Sequence, residues 1–340
     1  MPNILDLFSQ KEVLNYLQNR EYPTLLGTAL FPEVKRQSLE FEQIKGAGKT
    51  PVIASVHAFD SEAEIGSREA SKQALELALI KRKIQLNEKD IIALENPRNN
   101  AEQQYLMQNV FNDVDALVAG VKARVEAMRM EVLASGTVTL AENGLSATID
   151  YGVPDENKEA LVGTDLWTDE TSDPIGDLER WADELNGAAT RALTSKTVLN
   201  ALMRHPRIIA ALFGKDSLRV PTRQDLNSFL QQHDLPVIAV YDNKYRKQSA
   251  NGSYTTQRYF PNNKFVMFGE GTLGETIYGP TAEEIRLTRD PSIQINKIGN
   301  VLAMVYEENL DPVSTWTKAV ATALPSFPAA DEVFQAQPIV

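Results

Sequence analysis

The chain has 340 residues with 46 acidic and 34 basic side chains, and its formal net charge is −12. A field of this sign repels a phosphate backbone, so the composition argues against tight binding of nucleic acid. The absence of cysteine excludes disulfides and thiolate metal sites. We expect no membrane span, because no run of 18 apolar residues occurs, and no secretion signal, because the first residues lack its charged and apolar regions.

Residues 1–44 combine short apolar pieces with prolines, which predicts an arm or a few short elements. Residues 50–59 are expected to be extended, and a polar stretch of small residues follows over 60–68. The segment 74–86 is ambiguous. Its leucines alternate as in a strand, whereas its alanine, glutamate, lysine and glutamine favour a helix.

Residues 46–50 read GAGKT, and the last three of these residues also end a phosphate-binding loop. Such a loop needs a glycine at position 43, where this chain has Gln43, and a helix directly after it. Residues 52–59 alternate like a strand instead. We therefore interpret this stretch as a flexible glycine-rich turn that leads into an extended segment.

The strongest helix signal begins near Asn100, which forms an apparent capping box with Gln103. A helix of about 50 Å that ends at Ser135-Gly136 is predicted. Apolar residues recur in steps of three and four along one stripe: Met107, Val110, Val114, Leu117, Val121, Val125, Met128 and Val132.

A hairpin is predicted over 136–152, because two β-rich runs flank Asn143-Gly144. Further predicted elements are helices over 175–185 and 195–213, the second with a break at Pro206, and strands over 235–242, 257–269, 301–308 and 314–327. Residues 243–254 are interpreted as a polar loop. The basic runs at 81–83 and 244–247 are interpreted as solvated positions.

No catalytic residue, metal site or cofactor site is predicted, so the chain is not expected to be an enzyme. The sequence GEGTLG over 269–274 matches a dinucleotide fingerprint, but Gly279-Pro280 breaks any helix that would follow, and a loop between strands is expected. The three histidines are scattered, and His205 is interpreted as a capping or surface residue beside Pro206. The acidic cluster over 165–173 lacks the spacing of a calcium loop.

The order of these elements resembles the major capsid proteins of tailed phages, and specifically the lambda-type capsid protein E family. The segments that carry the resemblance are VLASGTVTL with ENG and IDYG at 132–152, VIAVYDNKY with RYFPNNKFVMFG at 237–269, TIYGPTAEE at 277–285, and STWTKAVATALPSFPAADEVFQAQ at 314–337. The resemblance implies an α+β chain with the Hong Kong-97-type capsid fold. It assigns an N-terminal arm to 1–44, an E-loop to 45–90, a P-domain to 91–165 and 291–340 with its spine helix at about 100–135, and an A-domain to 166–290.

The resemblance also implies a structural protein of the virion that assembles in the host cytoplasm. Copies of the chain would form hexamers and pentamers of an icosahedral shell around double-stranded DNA, without sequence-specific DNA binding or a membrane. The implied partners are a portal, a scaffolding protein and, in some members, a decoration protein. Glu62, Glu64 and Arg68 are the candidate interface residues, with a solvated turn as the alternative, and Gly46 and Gly48 are the hinge candidates.

Three alternatives are left open or set aside. An encapsulin-type compartment would share the fold, and a nucleotide-binding enzyme would rest on GAGKT alone. Some relatives cross-link lysine to asparagine, and Lys49, Lys72, Lys81 and Lys83 lie in or near the E-loop. The lambda-type relatives do not use this chemistry, so we predict no cross-linking.

Overall fold

The computed structural model describes residues 8–45, 71–142, 144–215, 217–249, 251–287, 299–308 and 313–340. The chain forms two compact units, each made of three segments. The first unit comprises Met1–Phe41, Leu75–Glu126 and Glu275–Pro325, and the second comprises Glu42–Ala74, Ala127–Gly274 and Ser326–Val340.

The α-helices of the described residues are α1 Gln10–Asn19, α2 Leu26–Leu30, α3 Glu88–Glu95, α4 Asn100–Ser135, α5 Pro174–Glu184, α6 Lys196–Arg204, α7 Pro206–Phe213, α8 Arg223–Gln232 and α9 Ala282–Leu287. None of them is long and apolar enough to cross a membrane.

The strands of the described residues are β1 Glu33–Lys35, β2 Glu40–Lys45, β3 Ser71–Glu76, β4 Ala78–Leu86, β5 Thr137–Leu140, β6 Ala147–Asp150, β7 Lys158–Ala160, β8 Arg191–Thr194, β9 Val237–Val240, β10 Lys244–Gln248, β11 Tyr254–Arg258, β12 Phe265–Phe268, β13 Thr276–Gly279, β14 Leu302–Glu308, β15 Ser314–Pro325 and β16 Val333–Gln337. β2 pairs with β3, and β5 pairs with β6.

The first unit is built around strand β15, which is buried along most of its length. In the described part of this unit, β4 pairs antiparallel with one edge of β15, while β14 and β13 pair antiparallel with it as well, and β1 adds in parallel to β13. Leu14 of α1 packs with Leu302 and Val320 of this sheet. Predicted strands 301–308 and 314–327 are thereby confirmed.

Residues near the start of the described chain are fixed to helix α4 within the same unit. The ring of Tyr16 lies 4.5 Å from that of Phe111. The carboxylate of Asp115 accepts hydrogen bonds from the hydroxyls of Tyr16 at 2.7 Å and Tyr22 at 2.9 Å, and it pairs with Arg20 at 3.1 Å. Several short elements therefore occupy this region.

The second unit contains a mixed sheet in the order β7-β16-β12-β8-β9, counted over the residues that the structure describes. Its core is aromatic. The ring of Trp181 stacks on those of Trp167 at 5.5 Å and Phe334 at 5.4 Å, and Phe265 of β12 closes the cluster. Each indole N–H is satisfied, since Trp167 donates to Asp177 and Trp181 donates to Glu159.

Helix α4 has the predicted bounds, but its cap differs by one residue. The side chain of Asn99, not Asn100, accepts the N–H of Glu102 at 2.8 Å. Glu102 in turn accepts the N–H of Arg98 at 2.7 Å, so the reciprocal pair involves neither Asn100 nor Gln103. The prediction was wrong here because two consecutive asparagines offer the same signal, and the cap is the residue before the first helical one.

The buried face of α4 changes along the helix. The predicted stripe is buried from Val110 to Val132, which confirms it. Towards the C-terminal end Met130 and Leu133 are buried too, so the helix is covered on most sides there. Glu126 is fully buried, and its carboxylate accepts the N–H of Gly27 at 2.9 Å. A buried charge needs such partners because desolvation is costly.

The ambiguous segment 74–86 is extended, with β3 followed by β4. Residues Ala78 to Leu86 pair one by one with Ala323 to Thr315 of β15. The hydrogen bonds and packing of this nine-residue ladder outweigh the helix propensity of alanine, leucine and lysine, which is worth only tenths of a kcal/mol per residue. The Nζ of Lys83 lies 3.6 Å from the ring centre of Trp316.

In the second unit the hairpin of β5 and β6 and the helices α5, α6 and α7 are confirmed, and His205 separates the last two at Pro206. The polar loop predicted at 243–254 is wrong, because most of it is the β-ribbon of β10 and β11. Its lysines, arginine and threonines hid the period-two pattern, since both faces are polar. Strands β7, β8 and β16 and helix α8 were not predicted.

Candidate assembly surfaces

All residues singled out from the sequence as interface or hinge candidates lie outside the described residues. These are Glu62, Glu64 and Arg68, together with Gly46 and Gly48. Their roles remain predictions.

Gln43 shows what occupies the position where a phosphate loop would need glycine. It belongs to β2 and is 4% exposed. Its side-chain amide donates to the carbonyl of Phe327 at 3.0 Å and accepts the N–H of the same residue at 3.0 Å. The side chain thus binds another segment of the second unit as a strand neighbour would, and a glycine could not replace it.

The GEGTLG stretch is a loop between β12 and β13, as predicted, so a strand and not a helix follows it directly. Its carbonyls face a cation. Arg191 donates to the carbonyl of Gly269 at 2.6 Å and to that of Gly271 at 2.7 Å. A Cβ at Gly274 would lie 2.1 Å from the carbonyl oxygen of Ser326, so glycine is required for close packing. The glycines of this loop therefore allow close packing of the backbone, and its carbonyl oxygens would repel a phosphate.

The buried ring of His205 contacts the acidic loop before α5, most of whose residues are exposed. The Nδ1 of His205 accepts the N–H of Arg207 at 3.2 Å, which caps α7, so Nε2 carries the proton and donates to the carbonyl of Asp169 at 2.9 Å. The capping role is confirmed, but the ring is buried and not at the surface. Hydrogen bonds from the hydroxyl and N–H of Thr171 lower the pKa of the Asp169 carboxyl.

No group of histidine, aspartate or glutamate side chains within the described ranges could hold a metal ion. The acidic loop instead uses its carboxylates locally. Asp173 accepts the N–H of Gly176 at 3.4 Å and caps helix α5.

The β10–β11 ribbon has two different faces, because side chains alternate along each strand. One face carries Tyr245 and Lys247, which contact other parts of the second unit. The ring of Tyr245 lies 5.0 Å from that of Tyr259, and the Nζ of Lys247 pairs with Glu142 at 2.6 Å. We call the opposite face the cationic face; its members are Lys244, Arg246, Gln248, Tyr254, Thr256 and Arg258.

The cationic face is exposed except at Arg258, which pairs with Asp242. Lys244 lies directly opposite Arg258 across the ribbon, an arrangement of like charges that weakens an isolated hairpin. The guanidinium of Arg246 lies 4.5 Å from the ring centre of Tyr254. No carboxylate of the described chain pairs with Lys244 or Arg246.

A second charged surface lies in the same unit and has the opposite sign. Residues 153–189 carry eleven acidic and two basic side chains, so most of the excess negative charge of the chain is concentrated there. On helix α5 the carboxylates of Glu179, Asp183 and Glu184 are exposed. Within the described ranges no cation pairs with these three, and the last turn of α5 contains no basic residue.

An exposed apolar pair lies in the loop between α7 and α8. Leu218 is 96% exposed and Val220 is 51% exposed. The sequence did not indicate this loop. It did show the basic run at 244–247 and the acidic cluster over 165–173, but it did not indicate an assembly surface at either. The charge excess over 153–189 was visible in the sequence, but its relation to a helix face needed the structure.

Comparison with solved structures defines the fold. A prophage protein from E. coli CFT073 described as a capsid protein matches with a TM-score of 0.64 and 15% identity, over 97% of this chain and 99% of that one. A phage-related protein from Bordetella bronchiseptica RB50 matches with a TM-score of 0.52 and 14% identity, over 96% of each chain. An encapsulin complex from Synechococcus elongatus PCC 7942 gives a TM-score of 0.42 and 10% identity, over 96% of this chain and 95% of that one. The chain has the Hong Kong-97-type capsid fold.

The family follows from the sequence itself. The profile described as phage major capsid protein E matches residues 9–337, nearly the whole chain. No curated protein sequence matched. The chain belongs to the phage major capsid protein E family, which confirms the resemblance found in the sequence.

Proposed function

We propose that copies of this chain assemble into hexamers and pentamers of an icosahedral shell that encloses phage double-stranded DNA. The observation that carries the proposal is the family match over residues 9–337. A fold shared with a capsid protein of a prophage along 97% of the chain supports it. Assembly takes place in the host cytoplasm, and the finished protein resides in the virion.

The division into parts is proposed as follows: residues 1–44 form the N-terminal arm, 45–90 the E-loop, 91–165 and 291–340 the P-domain, and 166–290 the A-domain. Glu62, Glu64 and Arg68 would contact neighbouring subunits, with hinges at Gly46 and Gly48. Elements that extend from a compact unit gain partners by pairing with other copies, which turns an exposed edge into an assembly contact.

We propose that the partners of the shell are a portal and a scaffolding protein, and that DNA is enclosed without sequence-specific contacts. A net charge of −12 favours weak adhesion of DNA to the wall, since like charges repel. A decoration protein is a further candidate partner. The chain is proposed to act as a structural protein and not as an enzyme, because the family is structural and GEGTLG is used for packing.

Electron microscopy of particles tests the proposal directly. We expect icosahedral shells or capsomers when the protein is produced together with the other head components. A species that stays monomeric at every concentration, even with scaffolding protein supplied, would contradict it. An encapsulin-type compartment would be indicated instead by shells that co-purify with a cargo enzyme rather than with DNA and a portal.

A further inference from the structure

We propose that the cationic face of the β10–β11 ribbon docks onto the acidic face of helix α5 in a neighbouring copy of the chain. The inference rests on the proposed function, because it names one contact through which the copies of a shell hold each other. Glu179, Asp183 and Glu184 define the acidic face of α5.

The first argument is the instability of the ribbon by itself. An isolated two-stranded hairpin is at best marginally stable in water. This one belongs to neither five-stranded sheet, and most of its residues are exposed on both faces. The face with Tyr245 and Lys247 already contacts its own unit, whereas the cationic face does not contact any described carboxylate except Asp242. The face that remains available is therefore the cationic one.

The second argument is charge. Residues 242–258 carry four basic side chains and one acidic one, in a chain whose net charge is −12. Such a local excess of cations is matched by the acidic excess over residues 153–189. Opposite potentials attract two copies and fix how they meet, while like surfaces are kept apart.

The third argument is that the negative charges of the acidic face destabilise helix α5. Glu179 and Asp183 are four residues apart on one helix, a spacing at which like charges repel each other and destabilise the helix. Asp183 and Glu184 also lie at the C-terminal end of α5, where the helix dipole disfavours negative charge. A cation supplied from outside relieves both effects. Arg180, on the same helix, pairs with Glu159 and Asp177 instead of these three carboxylates.

The two surfaces differ, so the contact is of the head-to-tail kind. Each copy offers its ribbon to one neighbour and its α5 face to the other. Contacts of this kind generate closed rings when the rotation closes. A ring is the arrangement expected of a hexamer or a pentamer.

Charge reversal tests the contact. The ribbon variant carries Lys244→Glu and Arg246→Glu, the helix variant carries Glu179→Lys and Asp183→Lys, and a third variant carries all four changes. Each of the first two is expected to lower the yield of particles at least about tenfold, because like charges then meet. The variant with all four changes is expected to restore most of the yield of particles. A control with Lys215→Glu and Arg223→Glu reverses two exposed cations outside the ribbon and should assemble like the unchanged protein.

The outcomes separate the two proposals. If the unchanged protein forms no shell, the proposed function fails and the inference fails with it. If the unchanged protein forms shells and the ribbon and helix variants do so equally well, only the inference is overturned. It is also overturned if the control loses as many particles, if the variant with all four changes is not rescued, or if the ribbon variant forms normal shells that merely fail to retain DNA.

A second measurement does not depend on charge or on the stability of the ribbon variants. The chain has no cysteine, so introduced thiols are unambiguous. Particles that mix Lys244→Cys subunits with Asp183→Cys subunits should yield covalent dimers with a short bis-maleimide. Particles made from either variant alone should yield none. Absence of dimers from the mixed particles, or equal dimers from either variant alone, would overturn the contact.

Discussion

At the scale of single residues, the C-terminal end of helix α4 shows how few side chains decide a boundary. Gly136 ends the helix with a φ of +69°, and its N–H donates to the carbonyl of Val132 at 2.8 Å. The side-chain amide of Gln335, from β16, donates to the carbonyls of Val132 at 3.2 Å and Leu133 at 2.9 Å. The carbonyl of Leu133 at this helix end thus receives its donor from a distant strand, and that of Val132 receives a second one.

Replacing Gly136 by alanine should lower the stability of the unassembled subunit by at least about 1–2 kcal/mol, because alanine is strained at positive φ. The new Cβ would also lie 2.6 Å from a methyl group of Val153. Gly120→Ala in the middle of the same helix is the matched control, since nothing lies within 4 Å of that Cβ. It should raise stability by about 0.5–1 kcal/mol. Urea unfolding measures both, and equal effects of the two changes would refute this account.

Gln335→Leu should lower stability by about 1–3 kcal/mol, because the carbonyl of Leu133 loses its side-chain donor and that of Val132 keeps only the N–H of Gly136. The Oε1 atom of Gln335 has no hydrogen-bond partner among the described residues, so the loss comes from the donor side alone. Gln337→Leu, two residues along the same strand, is the control and should have little effect. Thermal unfolding of the unassembled subunit distinguishes them. A Gln335 variant as stable as the control would show that the cap is dispensable.

Glu307 of β14 provides a test of pH dependence. Burial, and then the charge of Glu95, raise the pKa of its carboxyl. Because the pKa is higher in the folded state, the ionised form costs stability; the cost is absent below the unfolded pKa of about 4.3 and grows as pH rises through the folded value. Glu307→Gln should therefore be more stable than the unchanged protein at pH 7.

The measurement is the unfolding midpoint of unassembled subunits between pH 4 and pH 7. The difference between Glu307→Gln and the unchanged protein should vanish towards pH 4. Glu21→Gln, which removes an exposed carboxylate of the same unit, should show no such trend. A difference that persists or grows at pH 4 would contradict the assignment.

At the scale of elements, some were predictable from the hydrophobic period of the sequence, whereas others depend on tertiary packing. Helix α4 was predicted to the residue because its stripe repeats over many turns and a glycine follows it. Strand β4 was not predictable from its own residues, because its conformation is imposed by nine partners on β15. The ribbon was missed for the related reason that a strand with two polar faces has no hydrophobic period.

Truncation of the α4 stripe tests how much it contributes. Leu117 is 1% exposed, and Leu117→Ala should cost about 2–5 kcal/mol through lost burial and the cavity left behind. Tyr105→Ala removes a larger side chain that is 67% exposed on the same helix, and it should cost far less. Denaturant unfolding of unassembled subunits compares them. Similar losses at the two positions would mean that the stripe does not form the core.

At the scale of the whole molecule, the family match and the net negative charge are both compatible with a capsid wall. A shell built from copies of a phage major capsid protein needs contacts between those copies. The two surfaces of opposite charge in the second unit are proposed to form one such contact. Glu62, Glu64 and Arg68 are proposed to form others, and they lie outside the described residues.

Covalent linkage is not expected to hold the shell together. Boiling assembled particles in SDS should release a single band of the size of one chain. Lys81 and Lys83 lie on β4, paired within the sheet of the first unit. Lys72 pairs with Glu42 at 2.7 Å. A ladder of multimers that survives boiling would show cross-linking chemistry and overturn this expectation.

The sequence by itself determined the family, the long helix, the hairpin after it, and the failure of GAGKT and GEGTLG to provide the context of a nucleotide site. These conclusions depend on local sequence patterns, such as apolar residues spaced three and four positions apart, a glycine after a helix, or a missing glycine at position 43. Only the tertiary structure decided the conformation of 74–86, the buried roles of Gln43 and Gln335, and the existence of a cationic face on the β10–β11 ribbon and an acidic face on helix α5. Each of these depends on partners far along the chain, and local propensity is too weak to specify such partners.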